Sequence, residues 1–408
     1  MGKERVLSSS IQWHITASCI NRCKHCYTFG VGSKEDAKKD LSIEQLYQIL
    51  DNIKEFEQKF DVRFPLFTIT GGDPLFTPNG WTVIERLRSE GRQVGILGIP
   101  ERVNENTLQK MKTLGVMFYQ VSLDGLKDTH DLIRGNGSFE RTINAIKFLD
   151  AHNIEYRIMF TVHNLNQEEL IPLINYLEDL NVIGYFAFDF MIGPTTQENE
   201  FAPRMLNAGE AKKIITLYHE KSMELIKKGS RLLLLQKNGL NRVLSMRNAN
   251  QEMNPVLDMG CSIGKGLSIL ADGTVYPCRR LPISIGNLLT DSLEDILLNN
   301  SFMKDFRRRE NWEGCKDCKH YNICRGCPAV SYAFTGKPLS KMEYCFLKED
   351  GEFCDYECRE ECEMDYLVNQ GTEMFLSDET SNIKDIWEKI KKYPVIKKEI
   401  VHSVLYRR

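Results

Sequence analysis

The cysteines of this 408-residue chain constrain it more than any other feature. Of the thirteen, three fall between Cys19 and Cys26, none lies between Cys26 and Cys261, and the other ten stand between Cys261 and Cys362. The opening MGKERVLSSSIQWHI holds no apolar run long enough for a signal h-region, and no later stretch reaches the length of a membrane span. A cytoplasmic protein is therefore expected, in which thiols stay reduced and cysteines at short spacings ligate metal rather than pair. The 53 basic and 56 acidic residues leave a net charge of -3. Such a balance sets up no field toward polyanions, so neither nucleic acid nor membrane is expected as a partner.

The length suits two or three domains, and 42% hydrophobic residues is ordinary for a chain that buries a core. From residue 11 to about 190, short apolar runs alternate with segments of helical period, the pattern of repeated βα units around a parallel sheet. The candidate strands are Ile11 to Ile15, Leu66 to Thr70, Val94 to Leu97, Phe118 to Leu123, Tyr156 to Val162 and Tyr185 to Phe190. Between them Leu46, Ile49, Leu50, Ile53 and Phe56 recur at helical spacing, as do Phe139, Ile143, Ile146 and Leu149. Six units predict an α/β fold, a partial (βα)6 barrel two units short of the full eight. The expected organisation is a barrel core over 1–195, a helical bridge over 196–255, a Cys-rich domain over 256–350, and a cysteine-containing segment with a helical tail over 351–408. Within the bridge, the apolar run Leu232 to Leu235 reads as either a strand or a buried helical turn.

Cys19, Cys23 and Cys26 form CxxxCxxC just after the first strand, at the barrel mouth where parallel βα folds place their active sites. Three thiolates hold three irons of a [4Fe-4S] cube and leave the fourth iron without a protein ligand. The bland alternative is a zinc site, but those combine CxxC pairs with a fourth ligand, and His25 lies too close to its neighbours to serve easily. After the second strand comes TGGDP, with Gly71, Gly72 and Asp73. Its glycines allow close backbone approach, and its carboxylate suits an ammonium; alone, the loop would read as a plain turn.

With these motifs in place the N-terminal half resembles the radical S-adenosylmethionine (SAM) superfamily. CINRCKHCY, Cys19 to Tyr27, looks like its cluster loop. TGGDP resembles its GGEP loop, with Asp one methylene shorter than Glu. SLDG, Ser122 to Gly125, and HDxxRG, His130 to Gly135, are similar to segments of its peptide-modifying members. The resemblance implies SAM chelated to the open iron and cleaved by one electron to a 5'-deoxyadenosyl radical that abstracts hydrogen. It also implies SAM contacts from Tyr27, Gly71, Gly72 and Asp73, and from Ser122 or Arg134 at the carboxylate. Arg134 reads equally well as a solvated surface charge, and His130 as a packing or capping residue.

The C-terminal field, Cys261, Cys278, Cys315, Cys318, Cys324, Cys327 and Cys345, resembles the SPASM domain of radical SAM maturases. By that resemblance Cys315, Cys318, Cys324 and Cys345 hold one auxiliary cluster, and Cys261, Cys278 and Cys327 hold another. Two features depart from the family: Cys324 and Cys327 are separated by two residues rather than three, and MNPVLDM stands where a fourth cysteine often precedes Cys261. Without the family, CxxCx5CxxC from Cys315 reads as a zinc ribbon. Cys354, Cys358 and Cys362, at spacing four, would share one broad helical face. They could close the incomplete cluster, bind a further one, form a dithiol relay, or remain free thiols.

Sulfatase maturases, which make formylglycine, carry Asp after the cysteine matching Cys278; Arg279 and Arg280 here argue against that reaction. The expectation is a radical SAM peptide or protein maturase that forms a thioether or other crosslink. Its electron donor would be a flavodoxin or ferredoxin. The barrel pattern starts at residue 11, without a preceding winged-helix module, so leader-peptide recognition is expected of the bridge, the tail or a separate protein. A radical SAM enzyme on a small molecule, such as an aminocyclitol or a tetrapyrrole, is the alternative, and a non-enzymatic zinc-binding protein the remote one.

Overall fold

The computed structural model describes residues 5–6, 10–26, 40–192, 205–235, 240, 263, 266–318, 321–324 and 326–346. Its frame is one open sheet. Six strands, β1 (Ser10–His14), β2 (Leu66–Thr70), β3 (Gln93–Leu97), β4 (Phe118–Ser122), β5 (Tyr156–Val162) and β6 (Gly184–Phe190), lie side by side in chain order and parallel. They are the six expected strands, with ends moved by one residue at four of them. Apolar side chains such as Ile11, Trp13, Phe67, Ile69, Ile96 and Phe160 are fully buried, as befits a sheet covered on both faces.

The helices between the strands begin and end where side chains can meet the orphan backbone groups. α1 (Ile43–Phe60) opens on a capping box of Ser42 and Gln45 and closes on Asp61 in the left-handed region. α2 (Pro78–Ser89) has proline in its first turn, and α3 (Glu105–Leu114) runs from an Asn104 cap to Gly115. α4 (Lys127–Arg134) and α5 (Ser138–Ala151) follow β4, and α6 (Leu170–Asp179) follows β5.

Two further strands extend the parallel sheet, one at each edge. α7 (Ala208–Lys228) leads into β7 (Leu232–Leu234), which pairs with β6 and settles the apolar run of the bridge as a strand. β8 (Leu267–Ile269), from the Cys-rich segment, pairs parallel with β1 through Leu267 and Ile11, and Ile269 and Trp13. β9 (Thr274–Tyr276) and β10 (Gly286–Asn287) then continue antiparallel beyond β8. The sheet therefore runs across the boundary expected near residue 256. Asn52 of α1 locks the same junction: its amide donates to the Leu288 and Asp291 carbonyls at 3.0 and 2.8 Å and accepts from the Leu293 N–H at 2.9 Å. The remaining helices are α8 (Ser301–Arg307), α9 (Tyr321–Cys324) and α10 (Pro328–Thr335). Among the described residues no helix is long and apolar enough to cross a membrane. The predicted helical tail lies outside the described residues.

Candidate active site

Parallel strands release all their C-terminal loops on one side, and the N-terminal cysteines stand there. The loop after β1 is anchored before it reaches them: the Asp40 carboxylate accepts from the Thr16 hydroxyl and, at 2.9 Å, from the Ala17 N–H. It then turns through Cys19, whose sulfur accepts the Asn21 N–H at 3.4 Å, and closes with the Cys26 N–H on the Cys23 carbonyl at 3.1 Å. Burial pushes the Cys19 thiol up to about 11, the Asn21 N–H opposing and the neighbouring Cys23, Asp73 and Cys26 adding to the rise. Burial likewise raises Cys23, against the pull of Arg134. Three thiols this close to one another become stable thiolates only beside compensating positive charge, which iron would supply.

The loop after β2 is docked on this one, backbone against backbone. The Gly72 N–H donates to the Thr16 carbonyl at 2.9 Å and the Asp73 N–H to the Ser18 carbonyl at 2.7 Å. A Cβ at Gly71 would lie 2.3 Å from the Thr16 oxygen, and one at Gly72 2.2 Å from the Ser18 oxygen. The glycines thus serve loop-on-loop contact within the protein. Asp73 is fully buried. Its carboxylate takes the Arg102 Nε at 2.6 Å and the Leu75 N–H at 3.1 Å. Burial raises this carboxyl, Arg102 acting in the opposite sense. Arg102, from the loop after β3, is a partner that sequence reading missed.

The loop after β4 brings a second buried carboxylate, Asp124 of SLDG. It binds Arg134 Nε, lies 3.3 Å from His25 Nε2, and accepts the Thr161 N–H at 2.7 Å. Burial alone would raise Asp124, but Arg134 and His25 hold it well below the usual carboxylate range. Arg134 also points Nη1 at the Cys23 sulfur, 3.7 Å away, and Nη2 at His25, 3.4 Å away. It is no surface charge; it joins α4 to the cysteine loop, with the Lys24 N–H on the Ile133 carbonyl at 2.9 Å alongside. His130 is structural: Nδ1 accepts the Asp124 N–H at 3.0 Å, and Nε2 faces the Ser138 hydroxyl at 3.1 Å. Ser122 stands half-buried at the end of β4.

In the C-terminal field the described cysteines fall into two sets. Burial pushes the Cys324 thiol up to about 12, the Gly326 N–H opposing and Cys345, Cys315 and Cys318 adding to it. Cys278 is raised by burial, Arg280 opposing, with Cys327 as its thiol neighbour. The Cys315–Cys318 turn is held by Trp312, which donates to the Phe306 carbonyl at 2.9 Å, and by Arg309, which donates to the Lys316 carbonyl at 2.5 Å. Gly326 would place a Cβ 3.6 Å from the Cys315 sulfur, so the two cysteine segments are in contact there. Arg280 is tied to the barrel: it binds the Asp189 carboxylate and donates to the Phe190 carbonyl at 2.8 Å. Each set offers thiol ligands, and a cubane spreads such ligands over several irons, so the donor sets fit clusters.

The structure thus brings together Cys19, Cys23 and Cys26 with Gly71, Gly72, Asp73 and Arg134; Cys315, Cys318, Cys324 and Cys345; and Cys278 with Cys327. Tyr27, Cys261, Cys354, Cys358 and Cys362 lie outside the described residues. Asp40, Arg102 and the His25–Asp124 contact were not anticipated. The only local signal was the DG pair closing the fourth strand.

Known protein families match this chain in two regions. Residues 13–177 match the radical SAM superfamily and residues 261–328 the iron-sulfur cluster-binding SPASM domain. The chain is 25% identical over 352 residues to an AdoMet-dependent heme synthase of Methanosarcina barkeri, covering 83% of this chain and 96% of that protein. It is 25% identical over 358 residues to the mycofactocin maturase MftC of Mycobacterium tuberculosis, covering 82% of each. Among solved structures, anSMEcpe with bound AdoMet superposes with a TM-score of 0.64 at 16% identity, over 85% of this chain and 95% of that one. Streptococcus suis SuiB bound to its precursor peptide SuiA gives 0.63 at 15% identity, over 84% and 76%. At such identities the two structures speak for the fold.

Proposed function

We propose, from the premise that this chain belongs to the radical SAM superfamily and carries a SPASM domain, that it modifies a peptide, closing a thioether or another crosslink in a ribosomally made substrate. The chain is an enzyme whose cofactors are SAM and iron-sulfur clusters. When bound, the first cluster and SAM supply a 5'-deoxyadenosyl radical able to take hydrogen from an unactivated carbon. Everything else is positioning by this chain.

Cys19, Cys23 and Cys26 would hold that cluster on a loop braced by Asp40, by the Gly71–Asp73 backbone and by Arg134. Arg134 would offset thiolate charge at Cys23. Asp73 would accept from the SAM amino group with the lone pairs that Arg102 and the Leu75 N–H leave open, Arg102 holding the carboxylate in place. Ser122, at the mouth end of β4, would meet the SAM carboxylate. Two auxiliary clusters would sit on Cys315, Cys318, Cys324 and Cys345, and on Cys278, Cys327 and Cys261. A flavodoxin or ferredoxin would supply the electron, and a separate protein, the bridge or the tail would bind a leader peptide.

What supports the peptide reading is the match to the mycofactocin maturase MftC over 82% of each chain. A second reading, a tetrapyrrole substrate, is favoured by the match to AdoMet-dependent heme synthase along 96% of that protein. One anaerobic assay separates them. With SAM and dithionite, a cysteine-containing peptide encoded beside the gene should become lighter by two hydrogens while iron-coproporphyrin stays unchanged. Consumption of the porphyrin with the peptide untouched would reverse the assignment.

A further inference from the structure

Tyr344 is one of several buried polar side chains among the described residues with a polar atom that the fold leaves unused. It is 1% exposed, and its hydroxyl is buried without a hydrogen-bond partner. The ring is clamped between Phe190, with centroids 4.8 Å apart, and Phe334, at 5.4 Å. Packing alone would be served by phenylalanine, and a buried phenol ordinarily finds an acceptor. Arg280, Cys327, Glu210 and Glu343 lie near enough to act on it electrostatically, and Arg280 acts in turn on Cys278 and Cys327. Arg280 is fixed to the Phe190 carbonyl at 2.8 Å, on the residue against which the Tyr344 ring packs. The next residue in the chain, Cys345, belongs to the other thiol set. Tyr344 therefore stands where the two sets adjoin, with an O–H that no atom of the described residues accepts.

We propose that the Tyr344 hydroxyl donates a hydrogen bond to a sulfur of the cluster held by Cys278 and Cys327, and so raises that cluster's reduction potential. The inference rests on the functional reading above, which places a cluster there. A phenol is a donor at any working pH, because its free pKa is about 10. A hydrogen bond to cluster sulfur stabilises the reduced, more negative form more than the oxidised one, and so moves the potential upward. Arg280, already bound to Asp189 and Phe190, adds fixed charge nearby but is committed to the barrel. Tyr344 acts here as a positioning and tuning residue; it is assigned no contact with substrate.

The test is a redox titration followed by electron paramagnetic resonance on the full-length, anaerobically reconstituted protein. Cys327→Ala identifies the signal belonging to the Cys278 and Cys327 cluster. In Tyr344→Phe that signal's midpoint should move to more negative potential, while the other auxiliary signal and that of the Cys19, Cys23 and Cys26 cluster stay in place. An unmoved midpoint overturns the inference. Because the variant could lose iron, wild-type protein is also exchanged into heavy water and its proton couplings recorded. A strong exchangeable coupling at this cluster supports the hydroxyl donor, and its absence overturns it. A protein that takes up no auxiliary iron at all defeats the functional reading as well; iron with an unmoved potential defeats this inference alone.

Discussion

The guanidinium of Arg134 lies 3.7 Å from the Cys23 sulfur while its Nε binds the fully buried Asp124 carboxylate. One side chain thus couples the cysteine loop to the ends of β4 and β5. Removing Asp124 would leave Arg134 largely buried without its counter-charge. Breaking a buried pair from one side costs about 3–5 kcal/mol. Asp124→Ala should lower stability to urea by that order and reduce iron uptake by the first cluster. A loss below about 1 kcal/mol with full iron would show that the pair does not brace the loop.

The backbone contact between the two mouth loops makes a separate prediction. A methyl group at Gly72 would meet the Ser18 carbonyl at 2.2 Å. Gly72→Ala should cost about 1–3 kcal/mol, as overpacking does, and lower iron bound by Cys19, Cys23 and Cys26. Gly209, in the first turn of α7, would place its Cβ 3.4 Å from Asn207 Oδ1. Gly209→Ala is the control, and should be neutral or stabilise by roughly 0.5–1 kcal/mol. Equal effects of the two substitutions on iron content would contradict the loop-docking account.

Much of this frame was legible in the chain, and the reasons are local. Leu66 to Thr70 and Tyr156 to Val162 are strands because apolar runs of that length must be buried in a sheet, and their ends came out as read. The cysteine spacings likewise announced the first site. What was not legible depends on long-range assembly. β8 has three residues and finds β1 across more than half the chain, so no periodicity could reveal it. Arg102 meets Asp73, and His25 meets Asp124, only because separate strands deliver their loops to one mouth.

Protonation of His130 should show in stability. Burial holds its pKa down to about 4, with Asp124 and Asp131 opposing and Arg134 and His25 reinforcing the shift. A histidine depressed in the folded state leaves the unfolded chain binding more protons between about 6.5 and that value, so stability rises with pH there. The contribution is complete above about pH 6.5 and is lost as pH falls toward 4, by at most about 1.4 kcal/mol per pH unit. His14 and His219 are also held down by burial, so the measurement is a difference. Urea midpoints of wild type minus His130→Gln should slope across this window; a flat difference would remove His130 from the account.

SAM affinity should register the Asp73–Arg102 pair. A charged hydrogen bond contributes about 1.5–3 kcal/mol, which corresponds to roughly ten- to a hundredfold in affinity. Asp73→Ala should weaken SAM binding by that factor, and Arg102→Ala should weaken it in the same direction if the guanidinium holds the carboxylate in place. Calorimetry on the reconstituted protein checks both. An unchanged dissociation constant in Asp73→Ala would leave the residue as a turn former only.

The central claim is that radical generation depends wholly on the thiols of the first loop and not on the C-terminal cysteines. Cys19, Cys23 and Cys26 are replaced together by Ala, the protein is reconstituted anaerobically, and 5'-deoxyadenosine is measured after adding SAM and dithionite. The account predicts no 5'-deoxyadenosine, with auxiliary iron still bound to the C-terminal domain. Continued formation of 5'-deoxyadenosine by this variant would contradict it.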